Sequence, residues 1–221
     1  MAKQALLIQF GWLPFIVVEK RCLMDALCER GYQLIHIKSH SRNLGFQEER
    51  HPEADSRFFN PVCRRLKFLP ILGRLAGPLT WIEFMLRVLW LGRREKPHFI
   101  VAFGLDALPP ACFLKILTGA KLFFYSDELY TDRPGVPLKR FWDVLERRLI
   151  FRADLVCTCE PNRSRVLQER YGLHETPMSV LNVPKRQAPP LRRDIIQNDL
   201  RQRGITGAKV VYYQGWISKA R

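Results

Sequence analysis

No two cysteines in this 221-residue sequence fall at CxxC spacing, and a structural zinc site is unsupported without it. Most of the six (Cys22, Cys28, Cys63, Cys112, Cys157, Cys159) sit inside apolar runs, where a free thiol packs as a small hydrophobe. No signal peptide opens the chain: the short run Ala5–Phe10 gives way to Gly-Trp-Leu-Pro without a small-residue cleavage site. No uncharged apolar stretch reaches the roughly 20 residues that a membrane-spanning helix needs. The turn after the first apolar run has one glycine, Gly11, where a dinucleotide fold would show GxGxxG, which weighs against nicotinamide or flavin chemistry. No histidine has a Ser or Cys at a spacing that suggests a hydrolase triad. His36 and His98 fall on or beside expected strands as packing or supporting residues, and His174 falls in a loop. No segment is low in complexity. These absences point to a cytoplasmic protein with reduced thiols.

What the sequence holds in excess is positive charge. Lys and Arg number 36 against 21 Asp and Glu, a net of +15. Such a field attracts phosphates of any kind, whether nucleic acid, anionic lipid head groups or nucleotide-linked substrates. The basic residues are spread along the whole chain and no recognition module appears, so nucleic acid is not an expected partner. With 47% apolar residues the chain can bury a sizeable core. Its length exceeds one usual domain and falls short of two full α/β domains.

Short apolar runs alternate with amphipathic ones. The pattern predicts strands at Ala5–Phe10, Tyr32–Lys38, His98–Phe103, Lys121–Tyr125, Asp154–Cys159 and Met178–Leu181. Helices are predicted at Phe15–Arg30, Trp81–Leu91, Leu108–Leu117, Leu138–Phe151 and Asn162–Tyr171. A polar stretch, Ser39–Asp55, interrupts the rhythm. Strands alternating with helices imply right-handed crossovers and a doubly wound parallel sheet, an α/β fold. Asn182–Pro190, with three prolines, reads as a linker. A helix (Asp194–Arg203) and a fresh strand (Lys209–Tyr213) then begin a second, incomplete α/β unit.

Doubly wound folds bind ligands beyond the carboxyl ends of their strands, so the loops there are the place to look. They hold Gly104 and Asp106, then Ser126, Asp127, Glu128 and Tyr130, then Glu160, Asn162 and Arg163. The adjacent carboxylates Asp127 and Glu128 could bind sugar hydroxyls, or one could act as a base if burial raised its pKa. Alternatively Asp127 or Ser126 caps the following segment and Glu128 makes a structural ion pair. Glu160, just before Pro161, suits the start of a helix, where a carboxylate is favoured by the dipole.

In order and spacing, residues 98–215 resemble the family 4 glycosyltransferases. Phe124-Tyr125-Ser126-Asp127-Glu128-Leu129-Tyr130 is similar to that family's Tyr-Asp-Ser-His-Glu-Leu-Tyr stretch. Leu145–Asp154 looks like the helix-into-strand segment preceding its next loop, here Leu155–Glu160. Arg170-Tyr171-Gly172, Leu181-Asn182-Val183-Pro184 and Val210–Gly215 complete the likeness.

The resemblance implies the N-terminal, acceptor-side half of a GT-B enzyme. Residues 1–184 would form the Rossmann-like acceptor domain, 185–194 a linker, and 195–221 the truncated start of the donor domain. It implies a retaining hexosyltransferase that needs no metal or other cofactor and takes a nucleotide-diphosphate sugar as donor. The leaving diphosphate would be stabilised by backbone amides and basic side chains. Gly11 matches the first-loop glycine, Glu128 the family glutamate and Gly215 the donor-domain glycine. Lys219 and Arg221 fall where a phosphate-contacting base would sit. Two departures matter: Asp127 stands where the family has His, and Trp216 where it often has Arg. The family's donor-side pair of glutamates would lie beyond Arg221, so this chain alone is expected to be inactive. The two departures favour the alternative, a non-catalytic glycosyltransferase-like subunit that docks on an anionic membrane or a catalytic partner.

Phe58–Lys96 is basic and apolar together, with eight basic residues against Glu83 and Glu95. For residues 58–77 this suggests peripheral contact with an anionic membrane on its inner face, close to a glycan or lipid-linked acceptor. Trp81–Leu91 reads instead as a core helix with a solvated basic face.

Overall fold

A computed structural model describes residues 3–11, 18–39, 50–59, 61–63, 65, 75–132, 136, 138–181, 183, 195–205 and 209. The chain divides into two compact units, Met1–Val183 and Pro184–Arg221. Seven parallel strands form one sheet in the first. They are β1 (Lys3–Gln9), β2 (Tyr32–Ser39), β3 (Ala54–Phe59), β4 (Phe99–Phe103), β5 (Lys121–Ser126), β6 (Leu155–Thr158) and β7 (Met178–Ser179), in the spatial order β3-β2-β1-β4-β5-β6-β7. From β1 the chain winds outward to β3, then crosses back to β4 and winds the other way. The order therefore reverses between β1 and β4, the switch point at which doubly wound folds bind ligands beyond the carboxyl ends of their strands.

Among the described residues five α-helices belong to this unit: α1 (Val18–Glu29), α2 (Ala76–Glu95), α3 (Leu108–Thr118), α4 (Lys139–Leu149) and α5 (Pro161–Tyr171). The central strands are apolar on both sides because both faces are covered. One core packs Leu6, Ile8, Ile100, Leu122 and Phe124 against Phe84 and Val88 of α2 and Leu114 of α3. The other packs Ala5, Leu7, Leu34, Val101 and Phe123 against Met24 and Leu27 of α1.

The structure amends the sequence reading in two places. β3 lies inside the stretch read as an interruption plus a basic segment. Its sequence, ADSRFF, does not alternate cleanly, since its residues are only partly buried. Helix α2 runs five residues earlier and four later than predicted. Gly77 and Pro78 occupy its first turn, where a missing N–H costs nothing. The second unit contains α6 (Ile195–Gln202), closed by Gly204. Apart from Lys209, the strand expected at Lys209–Tyr213 lies outside the described residues, as does most of the linker.

Candidate functional site

The register places one residue from each of β1 to β6 in a row across the carboxyl end of the α1-covered face: Phe58, Lys38, Gln9, Phe103, Tyr125 and Cys157. In the middle of a buried sheet such a row should be apolar. Here Lys38, Gln9 and Tyr125 are polar, and each is at most 5% exposed. The first turn of α1 adds Glu19 and Lys20, also buried. The Lys20 ammonium lies 5.0 Å from the centre of the Phe103 ring. Burial pulls the pKa of Lys20 down, opposed by the negative charges of Asp127, Glu19 and Asp106. Burial pushes the Glu19 carboxyl up.

Two polar atoms in this cluster, Oε2 of Glu19 and the Tyr125 hydroxyl, are buried without a hydrogen-bond partner among the described residues. An unmet buried polar group costs about 1–3 kcal/mol, so native proteins rarely leave one without cause. One position further down the same face is His36, whose ring nitrogens are likewise unpartnered among the described residues. Burial and the nearby Lys38, Lys20 and His51 lower its pKa to about 3, which keeps the ring neutral.

Of the residues singled out by sequence, Asp106 and Asp127 come together. A Cβ built on Gly104 would stand 3.4 Å from Asp106 Oδ1 and 3.7 Å from Asp127 Oδ1, so both carboxylates flank that glycine. Its φ of +82° is one that an L-residue with a side chain rarely adopts. The Gly104 N–H donates to the Tyr125 carbonyl at 2.9 Å, joining the β4 and β5 loops. From the other side the Trp81 indole N–H donates to the Asp106 carbonyl at 2.9 Å. The Trp81 ring then meets Trp142 edge-on, and Trp142 meets Tyr130 of the β5 loop. Both carboxylate-bearing loops are thus held from α2 and α4.

Gly11 joins β1 to β2: its N–H donates to the Ser39 hydroxyl at 3.2 Å. Glu128 is half-buried, and its carbonyl accepts from the Ser126 hydroxyl. Arg163 is spent on scaffolding: its guanidinium donates to the Asp127 carbonyl and lies 3.0 Å from the Cys159 sulfur. Glu160 caps α5, accepting from the N–H groups of Asn162 at 2.9 Å and Arg163 at 3.2 Å. Gly215, Lys219 and Arg221 lie outside the described residues.

Glu19, Lys20 and Lys38 were not singled out by sequence. A signal was present. Positions 19 and 20 follow Ile16 by three and four, on the face that α1 shares with Leu23 and Leu27, so a charged pair there is buried rather than solvated.

The all-parallel sheet with its reversal between β1 and β4 defines the class, a doubly wound Rossmann-like domain. The chain belongs to the glycosyl transferase 4-like domain family, whose profile matches residues 21–183. No curated protein matches by sequence. Three solved structures share the fold at a TM-score of 0.56. TcCGT1, in complex with UDP, is 11% identical, and the match covers 91% of this chain and 55% of that one. Sucrose-phosphate synthase from Thermosynechococcus elongatus is 13% identical, over 82% and 48%. Anabaena Alr3699/HepE, in complex with UDP and glucose, is 15% identical, over 91% and 50%. The chain spans about half the length of these neighbours.

Proposed function

We propose that this chain is the acceptor-side half of a retaining hexosyltransferase. In this reading it uses no metal or other cofactor, and a nucleotide-diphosphate sugar is bound by a donor domain that begins near residue 195. Glu19, Lys20, Tyr125, Asp106 and Asp127 hold the hydroxyls of a glycan or lipid-linked acceptor in the crevice between β1 and β4. The observation that carries the reading is the pair of buried oxygens on Glu19 and Tyr125, near Lys20, that lack a hydrogen-bond partner among the described residues. A sugar presents donors and acceptors in alternation. It can accept from the ammonium and donate to the carboxylates at once. Gly11 leaves room at the mouth of the crevice, and Glu128 supports the loop beside Asp127. UDP in two of the neighbours named above, with glucose in one of them, supports a nucleotide sugar as the donor. Gly215, Lys219 and Arg221 would contact its diphosphate. The protein works in the cytoplasm, peripheral to the inner face of the membrane.

The division of labour is testable by calorimetric titration of the chain with UDP-glucose and with hexose-terminated glycans. Glycans should bind while the sugar nucleotide does not, and no transfer should occur. Tight UDP-glucose binding to this chain alone would sink the assignment. One observation favours a second reading, a non-catalytic binding subunit: an anionic Asp127 stands where the family has His, beside the already acidic pair Glu19 and Asp106.

A further inference from the structure

The helical layer opposite α1 departs from an ordinary soluble surface. Helix α2 turns Phe84, Val88 and Gly92 inward, and a solvated outer face would carry polar residues at the complementary positions. It carries Ile82, Leu86 and Trp90 instead, each four residues from the next, exposed to 41%, 59% and 57%. The basic face expected for this helix is therefore an apolar row edged by arginines. Beside it α3 turns Phe113, Ile116 and Leu117 outward, all more than half exposed. The two helices meet closely at Gly92, where an added Cβ would press on Leu114. A shallow cleft lined by Ile116, Phe151 and Arg152 carries the surface on past the end of α4. Helices on one face of a parallel sheet share an outward direction, so these side chains make one surface. Exposed apolar residues are ordinary singly; in a contiguous row they mark an interaction site.

Charge indicates the partner. Arg93, Arg94, Arg148 and Arg152 are exposed around the patch, and the Arg94 guanidinium stacks 4.1 Å over the Trp90 ring. The bordering carboxylates are already engaged: Glu83 with Arg87, Glu95 with Arg57, Asp154 with Lys115. No described helix is long and apolar enough to cross a membrane. An apolar row edged by arginines and anchored by a tryptophan matches the interface of an anionic bilayer, with acyl chains beneath phosphates.

We propose that the α2–α3 face docks flat on an anionic phospholipid bilayer. Leu86, Trp90, Ile116 and Leu117 enter the acyl boundary while Arg93 and Arg94 meet the phosphates. The segment 58–77, read above as the membrane contact, is described only at 58, 59, 61–63, 65 and 75–77. Of its described aromatics, Phe59 stacks on Phe84 and Phe58 lies against His36. Docking needs neither the crevice nor a donor domain, so it stands or falls apart from the acceptor reading.

The test is co-sedimentation of the 221-residue chain with phosphatidylcholine vesicles, with and without phosphatidylglycerol. The chain should bind the anionic vesicles and release as salt is added. Binding should fall about tenfold or more in Leu86→Ser/Trp90→Ser, since withdrawing one large apolar side chain is worth roughly a factor of ten. Arg93→Glu/Arg94→Glu should weaken it as well, whereas Met178→Ser, an exposed apolar residue on β7, should not. Ile116→Ser/Leu117→Ser repeats the test on the second helix, and circular dichroism verifies that each variant folds. No binding to anionic vesicles would overturn the proposal, as would binding that survives both Leu86→Ser/Trp90→Ser and Ile116→Ser/Leu117→Ser. A lipid-free dimer that these variants dissociate would give the face to a second copy of the chain instead.

Discussion

Acidification should destabilise this domain through one buried ring. His36 is 2% exposed, lacks a hydrogen-bond partner on either nitrogen among the described residues, and faces Lys38, Lys20 and His51. Its pKa falls from an ordinary 6.5 to about 3. A depressed folded pKa means that the unfolded chain takes up the proton first. Stability is fully present above about pH 6.5 and drains away as the pH falls toward 3. Between pH 7 and pH 5 the loss amounts to ~2 kcal/mol, worth roughly 4–8 °C in a domain of this size. His36→Leu removes both unpartnered nitrogens at similar volume, so it should be neutral or stabilising at pH 7. The decisive quantity is the wild-type minus variant difference in urea-unfolding free energy at the two pH values, because carboxylates and other histidines titrate equally in both proteins. That difference should shift by ~2 kcal/mol against the wild type as the pH drops. Identical pH dependence in the two proteins would refute the reasoning and mean that the ring finds a partner or water in solution.

Glu146, buried in α4, should act with the opposite sign. Burial raises its pKa to about 7 even though the Tyr171 hydroxyl donates to it at 2.8 Å. Its contribution is present below an ordinary 4.5 and lost as the pH rises through about 7, so Glu146→Gln should gain ~3 kcal/mol relative to wild type between pH 4.5 and 8. Equal slopes in urea unfolding would contradict this. Gly92→Ala sets a Cβ 2.3 Å from a Leu114 methyl and 3.0 Å from a Leu6 methyl. Overpacking of ~1–3 kcal/mol should outweigh a helix-propensity gain of ~1 kcal/mol, and an unchanged or higher Tm would show that α2 and α3 part easily. Glu160→Ala should cost ~1 kcal/mol of stability as a lost cap and leave ligand binding intact. A selective loss of binding would return Glu160 to the site.

Most of the sheet was legible because its strands are buried on both faces and read as unbroken apolar runs, such as ALLI in β1 and LFFY in β5. β3 was not, since an edge strand need not be apolar: Arg57 is paired with Asp55 and with Glu95 of α2. Loop position was enough to bring Asp106 and Asp127 together beside Gly104, because topology alone sends residues after β4 and β5 to the same end of the sheet. It could not separate them from Glu160, whose carboxylate turns back on its own helix, or from Arg163, which braces the Asp127 backbone. Lys38 escaped for a different reason. A charge on a strand reads as solvated until the register shows which row it shares, and here that row lies under α1.

The most direct test of the acceptor role is the affinity of the chain for hexose-terminated glycans, screened on an array and followed by calorimetry, in wild type, Glu19→Ala and Lys20→Met. The wild-type chain should bind at least one glycan. Each variant should weaken that binding about tenfold or more, the worth of one charge-assisted hydrogen bond. A wild-type chain that binds no glycan, or variants that bind as well as wild type, would contradict the assignment of the crevice to an acceptor.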